Sequence, residues 1–262
     1  VKPKLLAVSQ GTHPKELIAD WSDSLLDKVN GHSGLVDAYD TYDVLLNYWA
    51  ESMQDDCYMI SNDGWTYPEV KAIKRKETKD KKTNTIKVKE ADCMYDELVC
   101  DLLPVPIVLS EYFTTETSAI RDLILQIDSK QSAMNEFVEQ YIDVFSFDAD
   151  DEKDEKALNI KAADVKRLIK NAKLEGKSVA DVKILKLWLS LSKEKGTLST
   201  KLKKKRQELT VAVVKKYDEL TEEEIKMLVV EKKWLATIVG SCEALMQSIT
   251  HRIATEITAL EE

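Results

Sequence analysis

Apolar residues recur at three- and four-residue steps along most of this 262-residue sequence. Near the N-terminus the spacing is shown by five residues: Leu17, Ile18, Trp21, Leu25 and Leu26. Such spacing places side chains on one face of an α-helix. It predicts a helix that begins near Pro14 and ends at the Gly-containing loop 30–34. The same periodicity predicts a second helix from about Leu35 to Met53.

The periodicity changes between residues 56 and 91. Cys57 to Ile60 read as a short strand that ends at the turn-forming residues Asn62 to Gly64, and Ile86 and Val88 alternate with lysines. The sequence therefore predicts a small β insert near residues 57–90.

Helical spacing returns after Pro106 and persists to about Phe145. Five residues in this segment recur at intervals of seven: Phe113, Ile120, Ile127, Met134 and Tyr141. A second long pattern covers residues 179–217, and polar residues interrupt both seams, among them Gln131 and Lys195. Two such helices of matching length predict a long antiparallel helical hairpin or coiled coil.

Shorter helices are predicted to close this hairpin. One runs from Ala162 to Leu174, and a capping box of Thr221 and Glu224 opens another that ends near Val230. A final helix covers residues 234–260 and carries a wide apolar stripe: Leu235, Ile238, Cys242, Leu245, Met246, Ile249, Ile253, Ile257 and Leu260. The expected fold class is mainly α, a long antiparallel helical hairpin with closing helices and the small β insert.

Composition excludes several classes of protein. Only 7 glycines and 5 prolines are present, and neither GxGxxG nor GxxxxGK[ST] occurs, so we expect no phosphate-binding glycine loop. The longest apolar run, 102–109, is short and holds two prolines, and no apolar signal segment opens the chain. Four cysteines in a chain of this size predict reduced thiols in the cytoplasm. We therefore expect a cytoplasmic protein that does not enter a membrane.

Catalytic and metal-binding patterns are sparse. His13, His32 and His251 are isolated, and no CxxC or HExxH motif occurs. These residues fit capping or surface roles, and we expect no metal site. A small hydrolase with a convergent site is the minor alternative, because catalytic residues can meet in space from any sequence order.

Charge is unevenly distributed. The chain has 38 basic and 47 acidic residues, a net charge of −9, yet nine basic and two acidic residues lie between positions 71 and 89. Candidate nucleic-acid-binding residues in this segment are Lys71, Lys74, Arg75, Lys76, Lys79, Lys81 and Lys82. A cationic segment on an acidic body suits contact with a nucleic-acid backbone. A solvated hairpin with no partner is an equally open interpretation.

The apolar helix faces also have two interpretations. Packing within the chain would cover them, or one face would recruit helices from another protein. Because the last helix is apolar over a wide face, we favour partner binding there, with Leu245 and Ile249 as candidates. The basic run 201–206 lies within a heptad helix and is predicted to be a solvated helix face.

Two blocks of residues carry a resemblance to a known family. Their segments are Lys4–Val8, Gly11–Lys15, Tyr39–Leu45, Tyr48–Asp56 and Asp63–Trp65, and then Lys216–Lys226 and Leu228–Ile238. Together they resemble the C-terminal part of the modification (M) subunit of type I restriction-modification systems. The resemblance covers nearly the whole chain.

The resemblance implies a parent DNA adenine-N6 methyltransferase that uses S-adenosylmethionine. Such M subunits act with a DNA-specificity subunit and, for cleavage, a restriction subunit. The family's Asn-Pro-Pro-Phe/Tyr motif and its Phe-x-Gly-x-Gly cofactor motif do not occur here. We therefore expect a C-terminal fragment with no catalytic and no cofactor-binding residues, in keeping with Val1 in place of Met.

The family also implies how such a fragment is used. Its C-terminal helices pack on the long helices of the specificity subunit, and the matching candidates here are Lys226, Trp234 and Ile238. Residues 1–105 would be a connector that follows the methyltransferase domain, and 106–262 an elongated assembly region. The expected function is docking on the specificity subunit and helping to enclose DNA. The alternative is an independent nucleic-acid-binding module led by the basic segment 71–89.

Overall fold

A computed structural model describes most of the chain, and its described residues divide into two compact units. The described ranges are 2–29, 37–65, 70–72, 77–79, 86–88, 95–145, 160–174 and 179–261. Unit 1 combines residues 1–113 with 210–262, and unit 2 comprises residues 114–209. Residues 210–262 thus belong to the same unit as residues 1–113, whereas the sequence led us to expect that residues 106–262 form a single region.

The N-terminal part of unit 1 is helical. It contains α1 (Lys2–Leu6), α2 (Pro14–Val29), α3 (Ala38–Tyr48), a first π-helix (Trp49–Met53) and α4 (Gln54–Asp63). Asp37 caps α3, and its side chain accepts a hydrogen bond from the Tyr39 amide while the Asp40 carboxylate accepts one from the Asp37 amide. The predicted first helix matches α2, and the second extends ten residues further than predicted, through α4.

The predicted strand Cys57–Ile60 is wrong, because these residues lie within α4. Met53, Cys57 and Ile60 are fully buried and follow the four- and three-residue spacing of one helix face. The turn signal that suggested a strand end is a helix end instead. Gly64 caps α4 with φ +75°, a conformation that favours glycine.

Short strands follow. β1 (Lys71–Ala72) pairs antiparallel with β4 (Leu98–Val99), and β2 (Glu77–Lys79) pairs antiparallel with β3 (Ile86–Val88). Residue 77 faces residue 88 in the second pair. The strand predicted at 86–88 is therefore confirmed. Among the described residues, the first strand of the β insert begins at residue 71, whereas the sequence predicted that the insert begins near residue 57.

The remaining elements of unit 1 include α5 and a continuous helical run at the C-terminal end. α5 (Val105–Tyr112) begins after Pro104 and contains Pro106 in its first turn. α10 (Glu222–Met227) continues directly into a second π-helix (Leu228–Leu235) and α11 (Ala236–Glu261). The predicted capping box is confirmed, since Thr221 accepts from the Glu224 amide and the Glu224 carboxylate accepts from the Thr221 amide. The sequence predicted that one helix ends near Val230 and that the next begins at Trp234, but in the structure the helix continues between these residues.

Four tryptophans meet in the core of unit 1. Trp21 stands edge-on to Trp49 at 5.7 Å between ring centroids, and Trp234 lies 6.3 Å from Trp21 and 6.1 Å from Trp65. All four rings are buried. Because they come from α2, from both π-helices and from the second residue after α4, they join segments that are far apart in the sequence.

Unit 2 is a helical hairpin. α6 (Thr114–Gln140), α7 (Ile142–Phe145), α8 (Ala162–Leu174) and the first part of α9 (Val179–Glu219) form it. Lys195 contacts Gln131, whereas Trp188 packs on Phe145 at 6.1 Å between ring centroids. Residue numbers therefore increase along α6 and α7 in the direction in which they decrease along α9. The arm formed by α6 and α7 and the arm formed by α9 are thus antiparallel. The mainly α fold class is confirmed.

The core of unit 2 contains heptad residues at one end of the hairpin. Met134 and Phe145 are buried with Val165, Leu185 and Trp188. The basic run 201–206 is exposed at positions 201 and 203–205, as predicted. Lys205 is exposed and pairs with Glu208 at 3.1 Å.

Candidate functional site

The most deeply buried charges of the described residues form an ion pair in unit 1. Asp56 of α4 and Lys233 of the second π-helix are 2% and 8% exposed, and the Lys233 Nζ lies 2.7 Å from the Asp56 Oδ2. The Trp234 indole N–H donates to the same oxygen over 2.8 Å. Both charges are therefore matched inside an apolar core.

Every donor of the Lys233 ammonium has an acceptor. In addition to Asp56, it donates to the carbonyls of Asp101 at 3.1 Å and Leu102 at 2.9 Å. Burial raises the pKa of the Asp56 carboxyl, and the Lys233 ammonium and the Trp234 indole oppose this rise. A saturated cluster has no open position for a substrate, so its role is to fasten α4, the segment 101–102 and the second π-helix together.

This cluster was not predicted from the sequence, because Asp56 and Lys233 are 177 positions apart. One signal was present. Lys233 lies four and three residues after the buried Val229 and Val230, so helical spacing places the lysine on their apolar side, although the charged Glu231 and Lys232 come between them. A charged residue at such a position needs a buried partner, and the sequence alone does not say which carboxylate provides it.

A second polar junction joins three helices of unit 1. The Glu224 carboxylate accepts from the Lys216 ammonium and from the Tyr112 hydroxyl, both at 3.1 Å, in addition to its capping bond. The Thr221 amide and the Lys216 ammonium lower the pKa of Glu224 to about 2. Desolvation, together with the hydrogen bond to Glu224, raises the pKa of Tyr112 to about 12. These groups keep fixed protonation states near neutral pH, which suits a structural junction.

The candidate basic segment is described only in part. Lys71 lies in β1 and Lys79 in β2. The other five candidates lie outside the described residues: Lys74, Arg75, Lys76, Lys81 and Lys82. The strand pair β2–β3 therefore carries basic residues on both strands, at Lys79 and Lys87.

The five candidate partner-binding residues lie in different environments. Trp234 is fully buried in the tryptophan cluster, which corrects the expectation that its side chain contacts a partner. Lys226 is half-buried and pairs with Glu222 at 2.6 Å. Ile238, Leu245 and Ile249 are half-buried along α11. Only these last three belong to an apolar surface.

That surface continues to the end of α11. Met246, Ile253, Ile257 and Leu260 are 43%, 44%, 53% and 87% exposed, and every residue from 250 to 260 is exposed. With Ile249 they recur at three- and four-residue steps on one side of the helix. We call these five residues the α11 stripe. A hollow beside it is lined by residues of α11 alone, so it is part of the helix surface and not an enclosed site.

In the part of the chain that the structure describes, the histidines and cysteines do not form a shared site. His13 and His251 are exposed, and His32 and Cys93 lie outside the described residues. Burial raises the pKa of Cys57 to about 12, which suppresses its thiolate. Within the described residues no group of His, Cys, Asp and Glu could hold a metal ion.

The helices were also compared with the requirements of a membrane span. Among the described residues, none of the helices combines the length and the apolar character needed to cross a bilayer.

Comparison with known proteins adds no relative. No protein-family model, no curated protein and no solved structure matches the chain.

Proposed function

We propose that this chain is an assembly fragment of a type I restriction-modification M subunit. In this proposal it docks on the DNA-specificity subunit through the α11 stripe and helps to enclose DNA in the cytoplasm. Catalysis and S-adenosylmethionine belong to the methyltransferase domain of the parent protein, and the restriction subunit joins the full complex. The observation that carries the proposal is the exposed apolar side of α11.

The composition of α11 supports a helical partner. Water-exposed isoleucine and leucine side chains at helical spacing lose unfavourable hydration when a second apolar helix covers them. Charged residues are scarce along the stripe: between Met246 and Leu260 the ionisable residues are His251, Arg252 and Glu256. An apolar face with few charges fits a packed helix interface better than contact with DNA phosphates.

The resemblance supports the identity of that partner. The segments Lys216–Lys226 and Leu228–Ile238, which resemble the family, form the end of α9 and the helical run that leads into α11. In the family, C-terminal helices pack on long helices of the specificity subunit. The stripe extends from this matching region, and so the specificity subunit is the partner we propose.

Co-purification tests the proposal. The chain is co-expressed with the specificity subunit encoded beside its gene, and the mass of the complex is measured by light scattering. Ile253→Ser with Ile257→Ser should abolish the complex, because two polar groups enter its apolar interface. Ala244→Ser with Ala259→Ser is the matched control, since both alanines are exposed on the other side of α11. Equal complex formation by both double variants would contradict the proposal.

The second candidate is a nucleic-acid-binding module. The observation that favours it is the charge of residues 71–89, with basic residues on both strands of β2–β3. Replacing Lys74, Arg75 and Lys76 by Ala should then weaken DNA binding by the isolated chain and flatten its salt dependence. Unchanged affinity and salt slope would exclude this function.

A further inference from the structure

Unit 2 contains a pocket of about 330 Å³ between α6 and α9, a volume at the lower end of the range for small-molecule sites. All of its lining residues belong to unit 2. The pocket therefore depends on neither the α11 stripe nor the basic segment.

The lining of this pocket changes character from one end to the other. Gln131 and Asn135 of α6 lie at the same end as Ser192 and Lys195 of α9. The other end of the lining is mainly apolar and consists of Val138 of α6, Ile142 of α7, Ile160 and Trp188 of α9, with Glu139 as its one charged residue. The antiparallel arms thus create a polar end and an apolar end about two helical turns, or about 10 Å, apart.

The polar end offers hydrogen-bond donors. Lys195 Nζ donates to Gln131 Oε1, and Gln131 Nε2 donates to Asn135 Oδ1 over 2.6 Å. Both amide oxygens are thereby occupied. The ammonium of Lys195 keeps further N–H groups, and so does the amide of Asn135. A group placed here meets a positive charge and several donors, which is the environment that a carboxylate requires.

Trp188 belongs to the apolar end of the lining. Its side chain is 3% exposed. Because the polar end lies about 10 Å away, Trp188 contributes its aromatic ring to the lining and not a hydrogen bond to a group bound at Lys195.

We propose that this pocket binds a medium-chain aliphatic carboxylate. Its carboxylate accepts hydrogen bonds from Lys195 and Asn135, and its hydrocarbon chain extends past Val138 to Ile142 and Trp188. The length of the chain follows from the two turns that separate the polar end from the apolar end.

One acidic residue of the lining bears on this choice. Glu139 is exposed and lies four residues from Asn135 along α6, or about 6 Å of helix rise. That separation is within the screening length of about 8 Å at physiological salt. Its charge therefore opposes a carboxylate at the polar end, and the Lys195 ammonium is the group that has to outweigh it.

Fluorescence of the full chain tests the proposal. Trp188 is the one tryptophan of unit 2, because the other four of the five belong to unit 1. Octanoate should change the emission of the wild-type chain saturably, and Trp188→Phe should abolish that change while heat of binding persists. Octanol, which has the same chain and no charge, should bind about tenfold more weakly.

Two lysine variants separate the pocket from general charge. Lys195→Met should weaken octanoate about tenfold and leave octanol unchanged, whereas Lys203→Met, an exposed lysine of the same helix, should leave both unchanged. If circular dichroism shows that Lys195→Met does not fold, Lys195→Gln gives the same comparison. Equal affinity for acid and alcohol, equal effects of the two lysine variants, or no saturable binding would each overturn the proposal.

Discussion

The helical run that ends unit 1 contains two apolar stretches with opposite environments. In the second π-helix, Leu228, Val229 and Val230 are completely buried, and even Lys233 is enclosed. In the last turns of α11, isoleucines and a leucine are exposed to solvent. Hydropathy alone would bury the isoleucines and expose the lysine. Burial here is decided by which neighbours cover the helix and by whether a charge finds its partner.

The difference between the stretches follows from their contacts. The second π-helix packs against α1 and α5, whereas α11 packs mainly on α3 through its first turns. Lys233 and Trp234 are tied to Asp56, so the buried stretch has a fixed position in the core. We therefore expect substitutions in the buried stretch to act on stability, and substitutions in the α11 stripe to act on assembly.

The largest effect is expected for Trp234→Ala. The variant leaves a cavity beside the three remaining tryptophans of the cluster and removes a donor from Asp56, so that the free energy of unfolding should fall by about 3–5 kcal/mol. Urea denaturation of the isolated chain measures this loss. A loss below about 1 kcal/mol would mean that Trp234 is not a core residue in solution.

Lys233→Met should cost nearly as much. The variant leaves the Asp56 carboxylate buried without its cation, which typically destabilises a protein by about 3–5 kcal/mol. Lys232→Met is the matched control, because Lys232 is exposed and pairs with Glu111 at 2.9 Å. The control should change the free energy of unfolding by less than about 1 kcal/mol. Similar losses for the two neighbouring lysines would refute the buried ion pair.

A smaller, pH-dependent effect is expected for Glu224→Gln at the start of the same helical run. The folded state lowers the pKa of Glu224 to about 2 from its ordinary value of 4.5. The ionised carboxylate therefore stabilises the fold above pH 4.5, and this contribution disappears as the pH falls from 4.5 to 2. Because Glu224 is partly exposed, we expect a loss of about 1 kcal/mol at pH 7.

The measurement for Glu224→Gln is the difference in unfolding free energy between wild type and variant across pH 2 to 7. That difference should shrink towards zero at the acidic end. A difference that stays constant with pH would show that the capping carboxylate is not responsible.

The smallest effect on stability is expected in the α11 stripe. Ile253→Ser with Ile257→Ser should change the free energy of unfolding by less than about 0.5 kcal/mol, since the side chains are exposed. Urea denaturation of the isolated chain is the check. A loss above about 2 kcal/mol would show that the stripe is covered within the chain, and the contrast with the buried stretch would then fail.

Local patterns allowed most of the helices to be predicted. The limits of α8 agree with the prediction residue for residue, and the capping box of Thr221 and Glu224 forms as expected. These features depend on spacing and on neighbours a few positions away. Cys57–Ile60 misled the prediction because a short apolar run followed by a turn signal fits either a strand or the end of a helix.

Long-range features could not be derived from one sequence. The Asp56–Lys233 pair joins distant segments, and the return of residues 210–262 to unit 1 depends on the same packing. Trp234 shows the consequence for the site. Its apolar helical position fitted both a core and an interface, and only the positions of α2 and α4 decide that it lies in the core.

The most direct test of docking through α11 is a measurement of the mass that the Ile253→Ser, Ile257→Ser double variant has when it is co-purified with the specificity subunit. If α11 docks on the specificity subunit, the Ile253→Ser, Ile257→Ser variant should be a stably folded monomer that elutes without the subunit. Wild type and the Ala244→Ser, Ala259→Ser control should form a complex of defined stoichiometry. A complex that forms equally well with the stripe disrupted, or no complex with the wild-type chain, would contradict docking through α11.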